Sequence, residues 1–505
     1  MKVLVMGLGL HGGGLETARY LLRHGAEVTV TDLGDAKKLA PSIEKLDAAN
    51  NGAPIRYVLG KHEIDDFANA DMVIKNPGVR PDSPFLQAAK RIETDISLFL
   101  AAIGSNTRLI AVTGSKGKSS VASALYHVLA ALNPGKVFLG GNITVSPLTF
   151  LDDEGIGGDL ANVVLELSSW QLGDLRGRLG PGGVPLLKPK ASVLTAILPD
   201  HLDRYGSMDA YVSDKRVIYQ GQDADDITVA AGDAWGRSFH AESRARALAY
   251  ADAPLPEGAS GGWIDSASGI GLARLYGPAL PGGPVLQGGP VLPGSPVLPG
   301  SPAGQNNFSL YGEIAELVPA KPLVHGYHQK KNLLAAALAL YGMGLPPGAI
   351  KENLATFGGV EHRLELFHQA GGIDFYNDSA ATIPEAAAAA IEAIGGDGRL
   401  VLITGGTDKN LDFTPLAKAA SQAKAIILLA GSGSEKLRLL LDAAGIGYHG
   451  PFDSLDAAAQ AALNAAVPGG RIALSPGCAS FGMFQNEFDR GRKWKEKAME
   501  MRDEK

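Results

Sequence analysis

The chain has 505 residues, too many for one hydrophobic core, and a usual domain length of ~150 residues predicts about three domains. A net charge of −7 without any run of lysine or arginine argues against a nucleic-acid-binding protein. A single cysteine excludes an intrachain disulfide, and neither a signal peptide nor a membrane-spanning apolar stretch is recognisable. We therefore expect a cytoplasmic protein without membrane insertion.

The first segment opens with a predicted strand and a glycine-rich turn. The turn has the pattern G-x-G-x-x-G, formed by Gly7, Gly9 and Gly12. A helix is predicted over 15–24, and a strand over 27–31 ends at Asp32, twenty residues after Gly12. This βαβ pattern is typical of a diphosphate site, as in an NAD-dependent dehydrogenase, but a UDP-sugar would satisfy it equally. Another strand ends near Asn76 at the same edge.

The pattern around residues 109–132 predicts a nucleotide triphosphate site. A short β-branched strand over 109–112 is followed by a glycine-rich loop and a helix over 118–132. The loop and the first helical turn contain Gly114, Ser115, Lys116, Gly117, Lys118, Ser119 and Ser120. Backbone amides of such a loop bind phosphate, the lysine adds a positive charge, and the serine hydroxyl reaches magnesium. A purely structural turn would need neither Lys118 nor Ser119.

Two later residues, Glu166 and His201, suit the same chemistry. Glu166 ends an apolar run, His201 follows a strand predicted over 191–197, and Lys215 lies on a helix predicted over 208–219. Carboxylate oxygens are preferred magnesium ligands, and an imidazole is acceptable. Singly, Glu166 would be interpreted as a helix cap and His201 as a surface residue. Beside the phosphate loop, the pair predicts a metal site.

Residues 277–304 contain a proline- and glycine-rich hexapeptide near-repeat, which predicts a surface insertion without chemistry. We expect regular structure to resume at Pro322. Beyond residue 360, strands again alternate with helices, which predicts a further parallel sheet.

Taken together, these motifs resemble the Mur ligase family. The motifs that carry the resemblance are residues 113–119, 141–143, 166–172, 201–205, 361–365, 377–379 and 475–480, with His328 and Asn332. The resemblance implies an α/β fold of three domains. These are an N-terminal Rossmann-like domain (1–104), a central P-loop ATPase-type domain with a mostly parallel sheet (105–359) and a C-terminal Rossmann-like domain (360–505).

The motif at 166–172 most resembles the D-glutamate-adding branch of the family. It implies an ATP- and Mg²⁺-dependent ligase of peptidoglycan precursor synthesis, with UDP-N-acetylmuramoyl-L-alanine and D-glutamate as substrates and a monomer as the working form.

The catalytic residues that the resemblance implies are Lys118, Glu166, His201 and Lys215. ATP would bind the phosphate loop together with Asn332, Arg363 and Asp378. The UDP substrate would bind Gly9, Leu10, His11, Asp32, Asn76, Gly78 and Asn142. D-glutamate would bind Thr382, Lys409, Ser480 and Phe481. Magnesium would bind Ser119, Glu166, His201 and a carbamylated Lys215.

The sequence departs from the family pattern at three positions. Ala380 replaces a common lysine, Gln329 replaces a common asparagine, and Glu487 lies where an aromatic residue is frequent. Other interpretations are a Mur or folylpolyglutamate-synthase-type ligase acting on a different amino acid, an NAD-dependent dehydrogenase and an inactive scaffold protein.

Overall fold

The computed structural model describes residues 1–9, 13–48, 54–104, 106–142, 146–151, 161–276, 313–324, 326–480 and 482–500, apart from the side chains of residues 202 and 203. The chain divides into two compact units. The first comprises Met1–Lys321 and Lys331–Leu354, and the second comprises Pro322–Lys330 and Ala355–Lys505.

The first unit begins with a parallel five-stranded sheet in the order β3-β2-β1-β4-β5. Its strands are β1 (Lys2–Met6), β2 (Glu27–Asp32), β3 (Ile55–Leu59), β4 (Met72–Lys75) and β5 (Ile92–Glu93). Its helices are α1 (Gly13–Arg23), α2 (Ala36–Ala48), α3 (Ile64–Asn69), α4 (Pro84–Gln87) and α5 (Asp95–Ala102). Because the order reverses direction between β1 and β4, the loops after these two strands open a crevice at the carboxyl edge.

The same unit contains a nine-stranded sheet in the order β14-β13-β12-β11-β10-β9-β6-β8-β7. Its strands are β6 (Arg108–Thr113), β7 (Val137–Gly141), β8 (Asn162–Glu166), β9 (Ala191–Leu194), β10 (Ile227–Ala231), β11 (Arg246–Ala251), β12 (Gly261–Ile264), β13 (Gly271–Arg274) and β14 (Ala315–Val318). Only β13 and β14 are antiparallel to their neighbours. All five residues of β8 are buried, as expected for a strand covered on both faces.

Helices and short 3₁₀ turns connect these strands. They are α6 (Lys118–Leu132), α7 (Ser169–Leu175), α8 (Leu202–Tyr205), α9 (Met208–Gln220), α10 (Ala234–Glu242), α11 (Tyr327–Gly342), α12 (Pro347–Ala355) and the 3₁₀ turns Pro147–Phe150 and Pro181–Gly183. Helix α7 begins with a capping box in which Ser168 and Gln171 satisfy each other's backbone amides. The strongly polar sequence after Glu166 thus has a local structural role as well.

The second unit is built on a six-stranded sheet in the order β15-β16-β20-β17-β18-β19. Its strands are β15 (Glu365–Ala370), β16 (Ile373–Asn377), β17 (Leu400–Gly405), β18 (Ala425–Leu429), β19 (His449–Phe452) and β20 (Arg471–Leu474). Its helices are α13 (Pro384–Ile394), α14 (Thr414–Ala420), α15 (Ser432–Ala443), α16 (Leu455–Ala465) and α17 (Glu487–Glu500). Only β15 is antiparallel, and it lies at the edge.

The predicted fold class is confirmed, since three mostly parallel α/β sheets are present. The expectation that regular structure resumes at Pro322 is wrong, because β14 precedes it. Four residues of edge strand give too short an alternation to be recognised. The boundaries after residues 104 and 359 stay predictions, and the insertion at 277–304 lies outside the described residues. In the part of the chain described here, none of the helices combines the length and apolar character needed to cross a membrane.

Candidate active site

The predicted phosphate loop joins the end of β6 to the start of α6. Gly114 and Gly117 have φ angles of 145° and 91°, which side-chain-bearing residues rarely adopt. A Cβ at Gly114 would also clash with the Thr195 hydroxyl, and one at Gly117 would clash with the Asn332 side chain. Both glycines are therefore required by conformation and by space.

Lys118 folds back over this loop. Its Nζ donates to the carbonyl oxygens of Gly114 and Ser115, each at 3.1 Å. Ser115 is in turn fixed by its hydroxyl, which donates to Leu198 O at 2.8 Å. The backbone amide of Lys116 donates a hydrogen bond to Ala196 O at 3.4 Å. Ser119 and Ser120 lie in the first turn of α6, half-buried.

Lys215 approaches the same loop from α9. Its side chain is buried, and its Nζ donates to Gly114 O at 2.8 Å and lies 4.5 Å from the centre of the Tyr211 ring. Burial, together with the neighbouring positive charge of Lys118, lowers the pKa of the Lys215 amine to about 7. Close to neutral pH a substantial fraction of this amine is uncharged.

Glu166, the last residue of β8, is buried beside Asn142. Its Oε1 accepts a hydrogen bond from Asn142 Nδ2 at 3.0 Å, whereas its buried Oε2 has no hydrogen-bond partner among the described residues. A buried carboxylate oxygen without a partner is costly unless a ligand satisfies it. This oxygen fits a magnesium ligand.

The described side chains do not form a metal site by themselves. Among them, no three histidine, cysteine, aspartate or glutamate residues cluster closely enough to hold a metal ion. Magnesium usually takes one or two protein carboxylates and completes its shell with water and substrate phosphate. The residues present fit that mode of binding.

His201 lies just before α8, in a left-handed backbone conformation with φ of 53°. Its ring is half-exposed, 5.1 Å from the Trp170 ring centre, and Arg204 covers Trp170 at 4.0 Å. A non-glycine residue in this conformation is uncommon and is held by its surroundings.

A cavity of 440 Å³ brings several of the predicted residues together. It is lined by Gly114, Lys118, Asn142, His201 and Lys215 from the central sheet, and by Asn76 and Gly78 from the N-terminal sheet. Asn76 Oδ1 accepts from the Gly78 amide at 3.1 Å and so holds the turn after β4. Two predicted sites, one for phosphate and one for the UDP substrate, thus share one cavity in the first unit.

Other predicted residues do not line this cavity. Ser119, Glu166, Gly9 and Asp32 are absent from its lining. Asp32 Oδ2 accepts from the amides of Leu8 and Gly9 at 2.9 and 3.1 Å. The carboxylate therefore binds the glycine-rich loop itself. Leu10 and His11 lie outside the described residues.

A buried ion pair beside the cavity was missed from the sequence. Lys75, at the end of β4, lies 2.7 Å from Asp174 on α7, with side-chain exposures of 3% and 8%. Lys75 also donates to Val79 O at 3.0 Å. The pair joins the loop after β4 to the helix carrying Trp170 and Gln171. Lys75 precedes Asn76 directly, but only the fold shows that Asp174 is its partner.

In the second unit, Asp378 follows β16 and is buried. Its Oδ1 accepts from the Leu364 amide at 2.9 Å and its Oδ2 from the Ser475 hydroxyl at 2.5 Å. Burial raises the pKa of this carboxyl to about 7. Arg363, on the adjacent turn, is among the charged groups that oppose this rise.

The predicted amino-acid-binding residues follow the carboxyl ends of three adjacent strands, β16, β20 and β17. Thr382 follows β16, Ser480 follows β20 and Lys409 follows β17. The backbones of Thr407 and Ala479 exchange hydrogen bonds of 3.1 and 3.0 Å, which fixes two of these loops side by side. Phe481 lies outside the described residues.

Cys478 lies in the same region but is not a nucleophile. It is 2% exposed, and burial raises the pKa of its thiol to about 12. A thiol of this kind stays protonated and packs as a small apolar group.

An α/β fold with a Gly-Lys-Ser loop at a strand–helix junction is typical of a nucleotide-binding protein. Matches to family models show which family of such proteins the chain belongs to. The Mur ligase MurD-like N-terminal domain matches residues 1–97, the Mur ligase middle domain matches 112–253, and the Mur ligase glutamate ligase domain matches 362–478. The chain belongs to the Mur ligase family. The interpretation as an NAD-dependent dehydrogenase is therefore wrong.

Relatives from several bacteria resemble the whole chain. A UDP-N-acetylmuramoylalanine–D-glutamate ligase of Treponema pallidum (strain Nichols) is 40% identical over 98% of this chain and 96% of its own. Enzymes of the same name from Borreliella afzelii (strain PKo) and Roseiflexus sp. (strain RS-1) are 36% and 37% identical, covering 98% and 97% of this chain and 97% and 96% of their own. The crystal structure of a UDP-N-acetylmuramate–alanine ligase from Thermotoga maritima is similar in fold, with a TM-score of 0.52, 20% identity and 99% of both chains covered.

Proposed function

We propose that this chain is an ATP-dependent ligase that joins D-glutamate to UDP-N-acetylmuramoyl-L-alanine in peptidoglycan precursor synthesis. The observation that carries the proposal is full-length similarity at 36–40% identity to three enzymes of that name. The cavity that joins the phosphate loop to the turn after β4 supports it, since ATP phosphates and a UDP substrate would meet there. We expect a monomer in the cytoplasm.

The reaction proceeds in two steps. The muramoyl-alanine carboxylate attacks the γ-phosphorus of ATP, which forms an acyl phosphate and releases ADP. The amine of D-glutamate then attacks the acyl carbon, and the tetrahedral intermediate expels phosphate and loses a proton to give the amide. Neither step needs a protein nucleophile, in agreement with the inert Cys478.

Lys118 neutralises the charge that develops on the transferring phosphoryl group. Its ammonium already lies over the loop, bonded to two carbonyl oxygens, and it exchanges these for phosphate oxygens. Asn142 orients the substrate and the Glu166 carboxylate. Asn76 and Gly78, which line the same cavity, bind the UDP substrate.

Magnesium, when bound, shields the negative charges of the phosphates from the attacking carboxylate. Glu166, Ser119 and His201 would hold it, together with Lys215 once carbon dioxide has converted its amine to a carbamate. The unsatisfied Oε2 of Glu166 and the low pKa of the Lys215 amine support this assignment.

The second unit provides the remaining groups. Asp378 and Arg363 are assigned to ATP, as is Asn332, and D-glutamate is assigned to Lys409, Thr382, Ser480 and Phe481. The position of three of these residues after adjacent parallel strands supports a common binding site.

Lys118→Ala tests the phosphate loop. We expect the variant to lose ADP formation, because the charge over the loop is removed, while it still binds the UDP substrate, which relies on other residues. ADP release and equilibrium binding of UDP-N-acetylmuramoyl-L-alanine measure the two properties. Lys136→Ala, at an exposed lysine in the loop after α6, is the matched control and should behave as wild type. Unchanged ADP formation in Lys118→Ala would refute the assignment.

A further inference from the structure

Arg490 is a buried arginine on α17 whose hydrogen bonds all go to neutral groups. Its side chain is among the largest fully buried ones, with 1% of the residue exposed. Its Nε donates to Ser379 Oγ at 3.0 Å, its Nη2 to Ser379 O at 2.8 Å and its Nη1 to Cys478 O at 3.2 Å. It forms no ion pair with a carboxylate within the described ranges.

Glu487 and Asp378 lie near enough to act on the Arg490 charge, but neither accepts one of its hydrogen bonds. Burial of a guanidinium that is not bonded directly to a carboxylate is expensive, and packing alone would be served better by an apolar side chain. What the guanidinium adds is geometry, since its planar fork holds several acceptors at fixed angles. Here the acceptors belong to two different loops. One follows β16 and contains Asp378 and Ser379, and the other follows β20 and contains Cys478 and Ser480.

The rest of α17 holds the first of these loops in place. The Ser379 hydroxyl donates to Glu487 O at 2.7 Å, and the Trp494 indole donates to Tyr376 O at 2.9 Å. Asn377 Nδ2 donates to Gly491 O at 3.3 Å. Helix α17 thus binds the end of β16 at successive turns, and Arg490 adds the connection to the loop after β20.

We propose that Arg490 is a positioning residue that fixes the distance between the ATP-binding and amino-acid-binding loops of the second unit. The inference rests on the proposed function, which assigns Asp378 to ATP and Ser480 to D-glutamate. Arg490 donates its hydrogen bonds to Ser379 and Cys478, neither of which is assigned to a ligand. Its effect is transmitted through Ser379, which follows Asp378 directly, and through Cys478, which is separated from Ser480 by one residue.

Arg490→Lys tests this inference, because lysine keeps the charge but loses the fork. In the full-length protein we expect the KM for D-glutamate and the KM for ATP each to rise about tenfold, as for the loss of one or two hydrogen bonds. The KM for the UDP substrate should stay within twofold of wild type. Arg492→Lys, at an exposed arginine on the same helix, is the matched control and should leave all three values unchanged.

Two results would overturn the inference. Unchanged KM values for D-glutamate and ATP would show that the fork has no positioning role, and an equal rise for all three substrates would show general destabilisation. If Arg490→Lys does not fold, Ser379→Ala replaces it, with a smaller rise expected for the same two substrates and none for the third. No rise in Ser379→Ala would then refute the inference.

The proposed function can fail separately. If the wild-type protein releases no ADP with D-glutamate, the substrate assignment is wrong. Equilibrium binding of a non-hydrolysable ATP analogue still tests Arg490, and a tenfold weaker binding in Arg490→Lys than in Arg492→Lys is expected. Equal binding in the two variants would contradict the inference.

Discussion

Lys215 shows how one buried position changes the chemistry of an ordinary side chain. Carbon dioxide reacts with a neutral amine, and the buried site beside Lys118 lowers the pKa of the Lys215 amine to about 7. A protonated lysine could not coordinate a cation, whereas a carbamate offers two oxygens. The sequence alone gave no reason to separate Lys215 from a solvated lysine, and only the family resemblance singled it out.

We predict a carbamate carbon signal after incubation with ¹³C-bicarbonate. Because only the neutral amine reacts, the signal should be present at pH 8, above the pKa, and should decline as the pH falls through 7 and the amine becomes protonated. Lys215→Ala should lose the signal and most activity, while Lys188→Ala, at a surface lysine paired with Asp223, should keep both. Full activity of Lys215→Ala in bicarbonate-free buffer would contradict the carbamate.

At the residue level, the sequence identified seven of the 18 cavity-lining residues but not the contacts that hold the cavity together. Lys118, Asn142, His201, Asn76 and Lys215 were all named from motifs or resemblance and all line one cavity. The partner of Lys75 and the contact of Arg490 with Ser379 could not be identified, because these contacts join residues about 100 positions apart. Asp32 accepts hydrogen bonds from the amides of Leu8 and Gly9, and its assignment to the UDP substrate stays a prediction.

The phosphate loop is the element whose conformation most constrains its sequence. Gly114 lies at a positive φ angle and also against the Thr195 side chain, so two separate penalties meet at one position. Gly135, in the loop between α6 and β7, has a positive φ of 72° but open space around it. The two glycines therefore form a natural comparison.

We predict that Gly114→Ala destabilises the protein more than Gly135→Ala. Gly135→Ala, the control, should lower the free energy of unfolding by about 1–2 kcal/mol, the usual penalty for an alanine in the left-handed conformation. Gly114→Ala should cost about 1–3 kcal/mol more, because the methyl group must displace Thr195. Urea unfolding monitored by circular dichroism gives both values. Equal losses of unfolding free energy would contradict the tight packing of this loop.

Two long helices could be predicted closely from sequence, whereas many of the strands could not. Helix α6 extends over the predicted residues, and α9 differs by one residue at its end. Their apolar periodicity and their start signals agree, so the pattern is unambiguous. Strands β3, β5, β7, β10, β11, β12, β13, β14, β15 and β19 were not predicted. Six of them lie at sheet edges, where short strands carry little periodic signal, but β10 and β11 lie inside the central sheet.

On the scale of the whole molecule, each of the three sheets contributes loops to the proposed site of a different substrate. The N-terminal sheet provides the turn at Asn76 and Gly78, the central sheet provides the phosphate loop, and the C-terminal sheet carries the loops assigned to D-glutamate. Each site lies at the carboxyl edge of parallel strands, where loops of independent sequence converge. The proposed binding residues are therefore divided among the carboxyl edges of three sheets. The assignment of the amino acid substrate depends on the loops of the C-terminal sheet.

The amino acid acceptor is the part of the account that a single measurement tests most directly. ADP release by the full-length protein should be measured with ATP, Mg²⁺, UDP-N-acetylmuramoyl-L-alanine and, separately, D-glutamate, L-glutamate, L-lysine or diaminopimelate. We predict the fastest release with D-glutamate, for which the proposal assigns Lys409 to pair with a carboxylate and Thr382 and Ser480 to donate hydrogen bonds to it. Faster release with L-glutamate, L-lysine or diaminopimelate would contradict the proposed function.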